Sequence, residues 1–184
     1  MPDWDERYST NRSPQKREPA NLLVDLLPTL PGGKALDLAC GEGRNAFFLA
    51  GNGYSVDGID SSQVVIERDR VVADEEGVAV NFIHADLEAY TLPPSTYDLI
   101  VNFYYLQRSL IPSMKAALKS GGVILFETYT IDQVEIGPQR NRAYLLQPNE
   151  LLKTFGDFHL LFYREGIVEE GGRKAIASLA ARKI

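Results

Sequence analysis

The segment Leu36-Asp37-Leu38-Ala39-Cys40-Gly41-Glu42-Gly43-Arg44-Asn45-Ala46 restricts the possible folds more than any other stretch of the chain. A short apolar run, Lys34 to Ala39, enters a loop carrying two glycines. The chain leaves that loop through Asn45, Phe47, Phe48 and Leu49, a helical pattern closed by Gly51 and Gly53. Glycine reaches backbone angles and close approaches that other residues resist, so the pattern reads as strand, tight loop and helix. A second apolar run, Tyr54 to Ile59, ends at Asp60, 19 positions after Gly41.

The same alternation continues downstream. Ser61 suits the N-cap of a helix from Gln63 to Glu76. Val78 to Ile83 and Tyr97 to Phe103 read as strands. Pro112 to Leu118 reads as a helix stopped by Gly121-Gly122, and Val123 to Tyr129 as a fifth strand. Strands and helices alternating at this spacing predict a doubly wound, mostly parallel sheet with helices on both faces. The tail differs. After a short helix, Asn149 to Phe155, the runs Phe158 to Glu165 and Lys174 to Ala181 flank Glu169-Glu170-Gly171-Gly172 without a crossover helix, which predicts antiparallel pairing. At the other end Asn21 to Leu27 suits a short helix before Pro28. The first 20 residues, with Pro14, Pro19 and the basic Arg12, Lys16 and Arg17, read as an arm. With 184 residues and no repeats or linker, the chain reads as one domain, 1–184.

Composition removes several classes of function. Apolar residues make up 45% and charged residues 24%, a globular balance, and the net charge of −6 argues against broad electrostatic capture of nucleic acid. Cys40 is the sole cysteine and there are two histidines, so neither an internal disulfide nor a structural metal site is expected. No apolar run approaches the ~18 residues of a membrane span. Met1 to Glu6 is acidic and lacks a signal-peptide core, so a cytoplasmic protein is expected.

Gly41-x-Gly43-x-x-Ala46 with Asp60 downstream satisfies the fingerprint of a dinucleotide site, yet other ribose-bearing cofactors use the same device. Charge separates the two. A dinucleotide would set a doubly anionic pyrophosphate near Asp37 and Glu42, where repulsion in a low-dielectric crevice costs several kcal/mol. S-adenosyl-L-methionine has no phosphate and carries a sulfonium and an ammonium, for which Asp37 is an asset. Asp60 then suits the ribose diol, Asp86 the adenine amino group, and Leu87 the adenine ring.

At these residues the sequence resembles the class I S-adenosylmethionine-dependent methyltransferases, and Cys40-Gly41-Glu42-Gly43-Arg44-Asn45 resembles their tellurite-resistance branch. Gly53 to Asp60, Tyr97-Asp98-Leu99-Ile100 and Leu118-Lys119-Ser120-Gly121-Gly122 extend the likeness, with Ser120 where the family usually has proline. Trp4-Asp5-Glu6-Arg7-Tyr8 is similar to a segment that closes over the cofactor in relatives. The resemblance implies a Rossmann-like seven-stranded sheet with an antiparallel C-terminal strand. It also implies cofactor contacts from Tyr8, Asp37, Ala39, Gly41, Gly43, Asn45, Asp60, Ser61, Asp86, Leu87 and Asn102.

The acceptor is expected after the fourth strand, where Tyr104 and Arg108 are candidates. Arg140, Arg142 and Tyr144 on the loop 131–148 would complete a cationic mouth for an anion. His84, His159 and Cys40 read as structural. The expected activity is methyl transfer to a small molecule, an oxyanion such as tellurite or selenite, or a thiol, releasing S-adenosyl-L-homocysteine. A nicotinamide-dependent oxidoreductase and a non-catalytic S-adenosylmethionine-binding protein are the alternatives. A monomer or homodimer is expected, with no nucleic-acid or membrane partner.

Overall fold

The computed structural model describes residues 4–10, 18–137 and 141–184. Its elements run α1 (Trp4–Thr10), α2 (Asn21–Leu26), β1 (Lys34–Leu38), α3 (Arg44–Gly51), β2 (Ser55–Asp60), α4 (Gln63–Glu76), β3 (Val80–His84) and β4 (Tyr97–Phe103). There follow α5 (Ile111–Ala117), β5 (Leu118–Tyr129), α6 (Gln133–Ile136), α7 (Glu150–Thr154), β6 (His159–Glu169) and β7 (Arg173–Arg182). The seven strands form one sheet in the order β3-β2-β1-β4-β5-β7-β6. β1 to β5 pair in parallel, and β7 enters antiparallel between β5 and β6. This matches the expected Rossmann-like sheet with its antiparallel last strand.

Each face carries its own core. Ala35, Val101 and Leu125 meet Leu22 and Leu23 of α2, Ala46 and Leu49 of α3, and Val65 and Ile66 of α4. Leu36, Ile100 and Phe126, one residue out of phase along the strands, meet Ile111 and Met114 of α5 and Leu151 of α7. Strand side chains alternate between faces, so near-continuous apolar strands are what a sheet covered on both sides requires. β7 supplies its buried run with small residues, Ala175, Ala177, Ala180 and Ala181, in the crowded place between two neighbours.

Asp57 knits the β1, β2, β3 and β4 strands together. Its carboxylate accepts from Tyr97 Oη and Asn81 Nδ2, each at 2.9 Å, and pairs with Lys34 Nζ at 2.9 Å. Burial alone would raise this carboxyl, but those donors outweigh it and hold it below the ordinary range.

Three expectations are corrected. The arm contains a helix, α1, which buries none of its own residues and is held by Asp5, whose Oδ1 accepts from Ser62 Oγ at 2.5 Å and Val64 N at 3.3 Å. Ser62, not Ser61, caps α4, its Oγ accepting from Val65 N at 3.3 Å, while Ser61 is exposed in the turn. α5 does not run to Leu118 and stop at the glycines. It ends at Ala117 and the chain enters β5 directly, with Gly121 taking φ +79° inside the strand. The basic Arg12, Lys16 and Arg17 lie outside the described residues.

Candidate functional site

The site lies beyond the carboxyl ends of β1, β2, β3 and β4, where a crevice opens in sheets of this topology. The loop after β1 is built on left-handed residues at alternate positions: Ala39 at φ +52°, Gly41 at +53° and Gly43 at +67°. Two of these need glycine for a second reason. A Cβ on Gly41 would stand 2.8 Å from Tyr8 Oη, and one on Gly43 would stand 2.9 Å from the Phe47 ring. Cys40 N donates to Ile59 O at 3.0 Å and Gly41 N donates to Asp60 Oδ2 at 2.9 Å, so β2 fixes the loop.

Asp60 also accepts from Ser62 N at 2.9 Å through Oδ1. An ionised carboxylate offers about four acceptor positions, so this one retains capacity for ribose hydroxyls after both bonds. Burial raises its pKa despite those amides. Asp86 is exposed, and its Oδ1 accepts from Glu88 N at 2.9 Å. Leu87 beside it is buried against the α5 side of the sheet. Tyr105, half-buried after β4, has its phenol pushed up to about 12 by burial and by the nearby Glu88, Asp86 and Asp60 carboxylates. It stands with the acids of the crevice, although nothing in its sequence context singled it out.

Asp37 lies under the loop, 1% exposed. The Ala46 amide donates to it, and burial lifts its carboxyl to about 7 against the opposing pull of Arg44 and that amide. Its Oδ2 is buried with no hydrogen-bond partner. Asn102, at 0% exposure and paired in register with Leu38 of β1, donates through Nδ2 to Tyr105 O at 2.7 Å. Its Oδ1 is likewise buried and without a partner. Orphaned buried acceptors are costly. Asp37 shares the face of Val101, and Asn102 that of Leu38. The two therefore flank, from opposite faces of adjacent strands, the sheet edge where the loop turns, and suit a ligand there that brings N–H donors and positive charge.

Other candidates are placed differently. Asn45 is buried and its Oδ1 accepts from Ala20 N at 2.9 Å, so it pins the chain entering α2. Glu42 pairs with Arg68 Nη2 at 2.8 Å, which offsets the loop charge that the sequence argument held against a pyrophosphate. Tyr8 sits over Gly41, and burial with the Asp60 and Glu42 carboxylates raises its phenol. Burial likewise raises the Cys40 thiol, which keeps it protonated.

Among the described residues the expected cationic mouth does not assemble. Arg108 holds Glu150 through Nε at 2.6 Å and Nη2 at 2.9 Å, and donates to Ala143 O at 2.6 Å and Leu145 O at 2.9 Å. Its fork is thus filled by α7 and the preceding turn. Arg142 is exposed on that turn, Tyr144 is 52% exposed, and Arg140 lies outside the described residues. Tyr104 instead meets residues the sequence reading passed over. Its hydroxyl donates to Glu127 Oε1 at 3.1 Å, and Lys174 Nζ approaches that hydroxyl at 3.4 Å. These partners are 23 and 70 positions away, beyond any local signal.

Comparison with known proteins agrees with this geometry. Residues 35–122 match a family described as a methyltransferase domain. The chain is 29% identical over 152 residues to Hemagglutinin 1 of Eikenella corrodens, covering 79% of this chain and 50% of that protein. It is 28% identical over 177 residues to the probable S-adenosyl-L-methionine-dependent methyltransferase TehB of Haemophilus influenzae, covering 88% of this chain and 61% of that one. The crystal structure of TehB from Haemophilus influenzae superposes with a TM-score of 0.79 at 25% identity, covering 98% of this chain and 66% of that one. The chain therefore spans between half and two-thirds of the length of these relatives. From the glycine loop, the sheet order and these likenesses together, the chain carries a methyltransferase domain over residues 35–122 and resembles the class I S-adenosylmethionine-dependent methyltransferases, TehB among them.

Proposed function

We propose that this chain transfers a methyl group from S-adenosylmethionine to a small-molecule acceptor, an oxyanion of the tellurite or selenite kind or a thiol. The observation that carries the reading is the pair of orphaned acceptors, Asp37 Oδ2 and Asn102 Oδ1, at the ends of neighbouring strands beside the glycine loop. The cofactor, when bound, supplies an electrophilic methyl on a sulfonium with a neutral thioether as leaving group. The residues of the chain then have three tasks.

Asp60 and the amides of the loop hold the ribose end, with Ser61 at the rim. Asp86 and Leu87 flank the adenine. Asp37 and Asn102 supply negative and acceptor character for the cationic methionine end. Within residues 1–20, helix α1 acts as a lid through Tyr8 over Gly41, and the described residues of 131–148 act as the acceptor loop. Alignment of nucleophile and methyl at about 3 Å, with water excluded, carries most of the rate. Tyr104 has its phenol raised by burial and by Glu127, so near neutral pH it donates a hydrogen bond and does not serve as a base. That suits a nucleophile with a ready lone pair. We place the protein in the cytoplasm, acting on small molecules as a monomer or homodimer.

Calorimetric titration with S-adenosylhomocysteine and, separately, NADH tests the cofactor, and release of S-adenosylhomocysteine from S-adenosylmethionine with selenite, tellurite and thiols tests turnover. Micromolar binding of the former alone, with turnover on one of these acceptors, is expected. Binding of NADH in its place would make the chain an oxidoreductase. Tight S-adenosylhomocysteine binding with no turnover would make it a binding protein.

A further inference from the structure

Tyr104 follows β4 directly and takes a left-handed backbone, φ +59°, with its amide donating to Glu127 O at 2.8 Å. A bulky residue in that conformation is strained, and strain of this kind gathers at binding sites. Two cations converge on its ring. Lys174 Nζ lies 5.3 Å from the ring centroid, and Arg44 Cζ lies 5.9 Å from it. Both side chains are half-buried.

The carboxylate beside them is already engaged. Glu127, 3% exposed, accepts from Tyr104 through Oε1 and from Ser178 Oγ at 2.7 Å through Oε2, and Arg164 stands 3.6 Å from Oε2. Arg164 in turn pairs with Glu170 at 2.8 Å. Among the described residues neither Lys174 nor Arg44 has a carboxylate oxygen within 4.0 Å, although Arg44 feels Asp37 at longer range. Arg44 makes one long bond, 3.5 Å, to Glu18 O. In a chain of net charge −6, two half-buried cations that meet one phenol at the carboxyl end of the sheet, with no carboxylate oxygen in direct contact, form a positive cluster able to take an anion.

We propose that Lys174 and Arg44, gathered at the Tyr104 ring, form the seat of an anionic group, a carboxylate or small oxyanion, carried by the methyl acceptor. The inference rests on the methyltransferase reading and adds the residues and the charge that select the acceptor. The buried Glu127 holds the Tyr104 hydroxyl in place. Arg108, one of the cations that sequence pointed to, closes the acceptor loop against α7.

One competing source of the same charge exists, the carboxylate of the cofactor's own methionine. Titration of the S-adenosylhomocysteine-saturated protein separates the two, with selenite and mercaptoacetate as anionic probes and 2-mercaptoethanol as the uncharged control. Both anions should bind at least about tenfold more tightly than the control. Lys174→Met should weaken both by about tenfold, Lys174→Arg should restore most of the loss, and S-adenosylhomocysteine affinity should stay within about twofold as the check on folding. The seat is overturned if the anions bind no better than 2-mercaptoethanol, or if Lys174→Met leaves them unchanged. It is equally overturned if the variant loses S-adenosylhomocysteine instead, which would assign the cations to the cofactor carboxylate. Failure of the parent protein to bind S-adenosylhomocysteine at all would count against the methyltransferase reading itself.

Discussion

Asp37 is where burial, charge and the proposed ligand contact meet. Its carboxyl sits at about 7 because burial penalises the ion more than Arg44 and the Ala46 amide favour it. An unfolded aspartate releases its proton near pH 4, so between about pH 4 and 7 the folded state holds a proton that the unfolded chain does not. Stability from this group is therefore greatest below that window and falls as pH rises through it. Asp37→Asn should remove that slope, and the melting temperatures at about pH 5 and pH 8 should draw closer together in the variant. The ligand's ammonium group favours the ion where it contacts Asp37, so S-adenosylhomocysteine should bind the parent more tightly as pH rises across 7, by at most about tenfold per unit. The Asn variant should bind more weakly and show no such rise. An affinity profile untouched by the substitution, with the stability slope lost, would confine Asp37 to holding the start of α3. The sequence pointed to this residue through its place before a glycine loop. Its bond to Ala46 was not readable there, nor was the anchoring of Ala20 by Asn45, since both depend on how the helix docks.

At the scale of elements, contacts between distant segments decide what local pattern leaves open. The strands and long helices were legible because their apolar periodicity is set by two-sided burial of the sheet. α1 was not, because Trp4–Thr10 has no buried stripe and owes its place to Asp5 on the first turn of α4, 57 positions on. Ser62 serves both sides of that junction, capping Val65 and donating to Asp5. The off-by-one expectation of Ser61 arose because two adjacent serines follow Asp60 and only the folded turn selects between them. Arg108 is a second case, for its partner Glu150 lies 42 positions away. Asp5→Ala should release α1 while the domain stays folded. Hydrogen exchange across 4–10 should accelerate strongly, the melting temperature should barely move, and S-adenosylhomocysteine should bind several-fold more weakly once Tyr8 no longer rests on Gly41. Unchanged exchange in that segment would show that Asp5 is not its anchor.

On the scale of the whole molecule, the order β3-β2-β1-β4-β5-β7-β6 brings to one edge of the sheet residues that the chain scatters from Tyr8 to Lys174. Local alternation implied a parallel sheet, and the resemblance implied seven strands. Neither could show that β7, threading between β5 and β6, sets Ser178 against Glu127 and Lys174 near Tyr104. Because the glycine loop is bonded into β2 and covered by α1, ligand binding there should be linked to unfolding of the entire domain. At a hundredfold excess over its dissociation constant, a ligand confined to the folded state adds about 2.7 kcal/mol. For a domain of this size that corresponds to a rise of roughly 5–10 °C in melting temperature. S-adenosylhomocysteine should produce such a rise in the parent protein. Gly41→Val should suppress it, because the substitution meets φ +53° and sets a Cβ 2.8 Å from Tyr8 Oη, displacing either the loop or α1. The variant should still melt cooperatively, since the loop lies at the rim and both cores are untouched. A rise of equal size at the same ligand concentration in parent and variant would place the binding site elsewhere than the glycine loop.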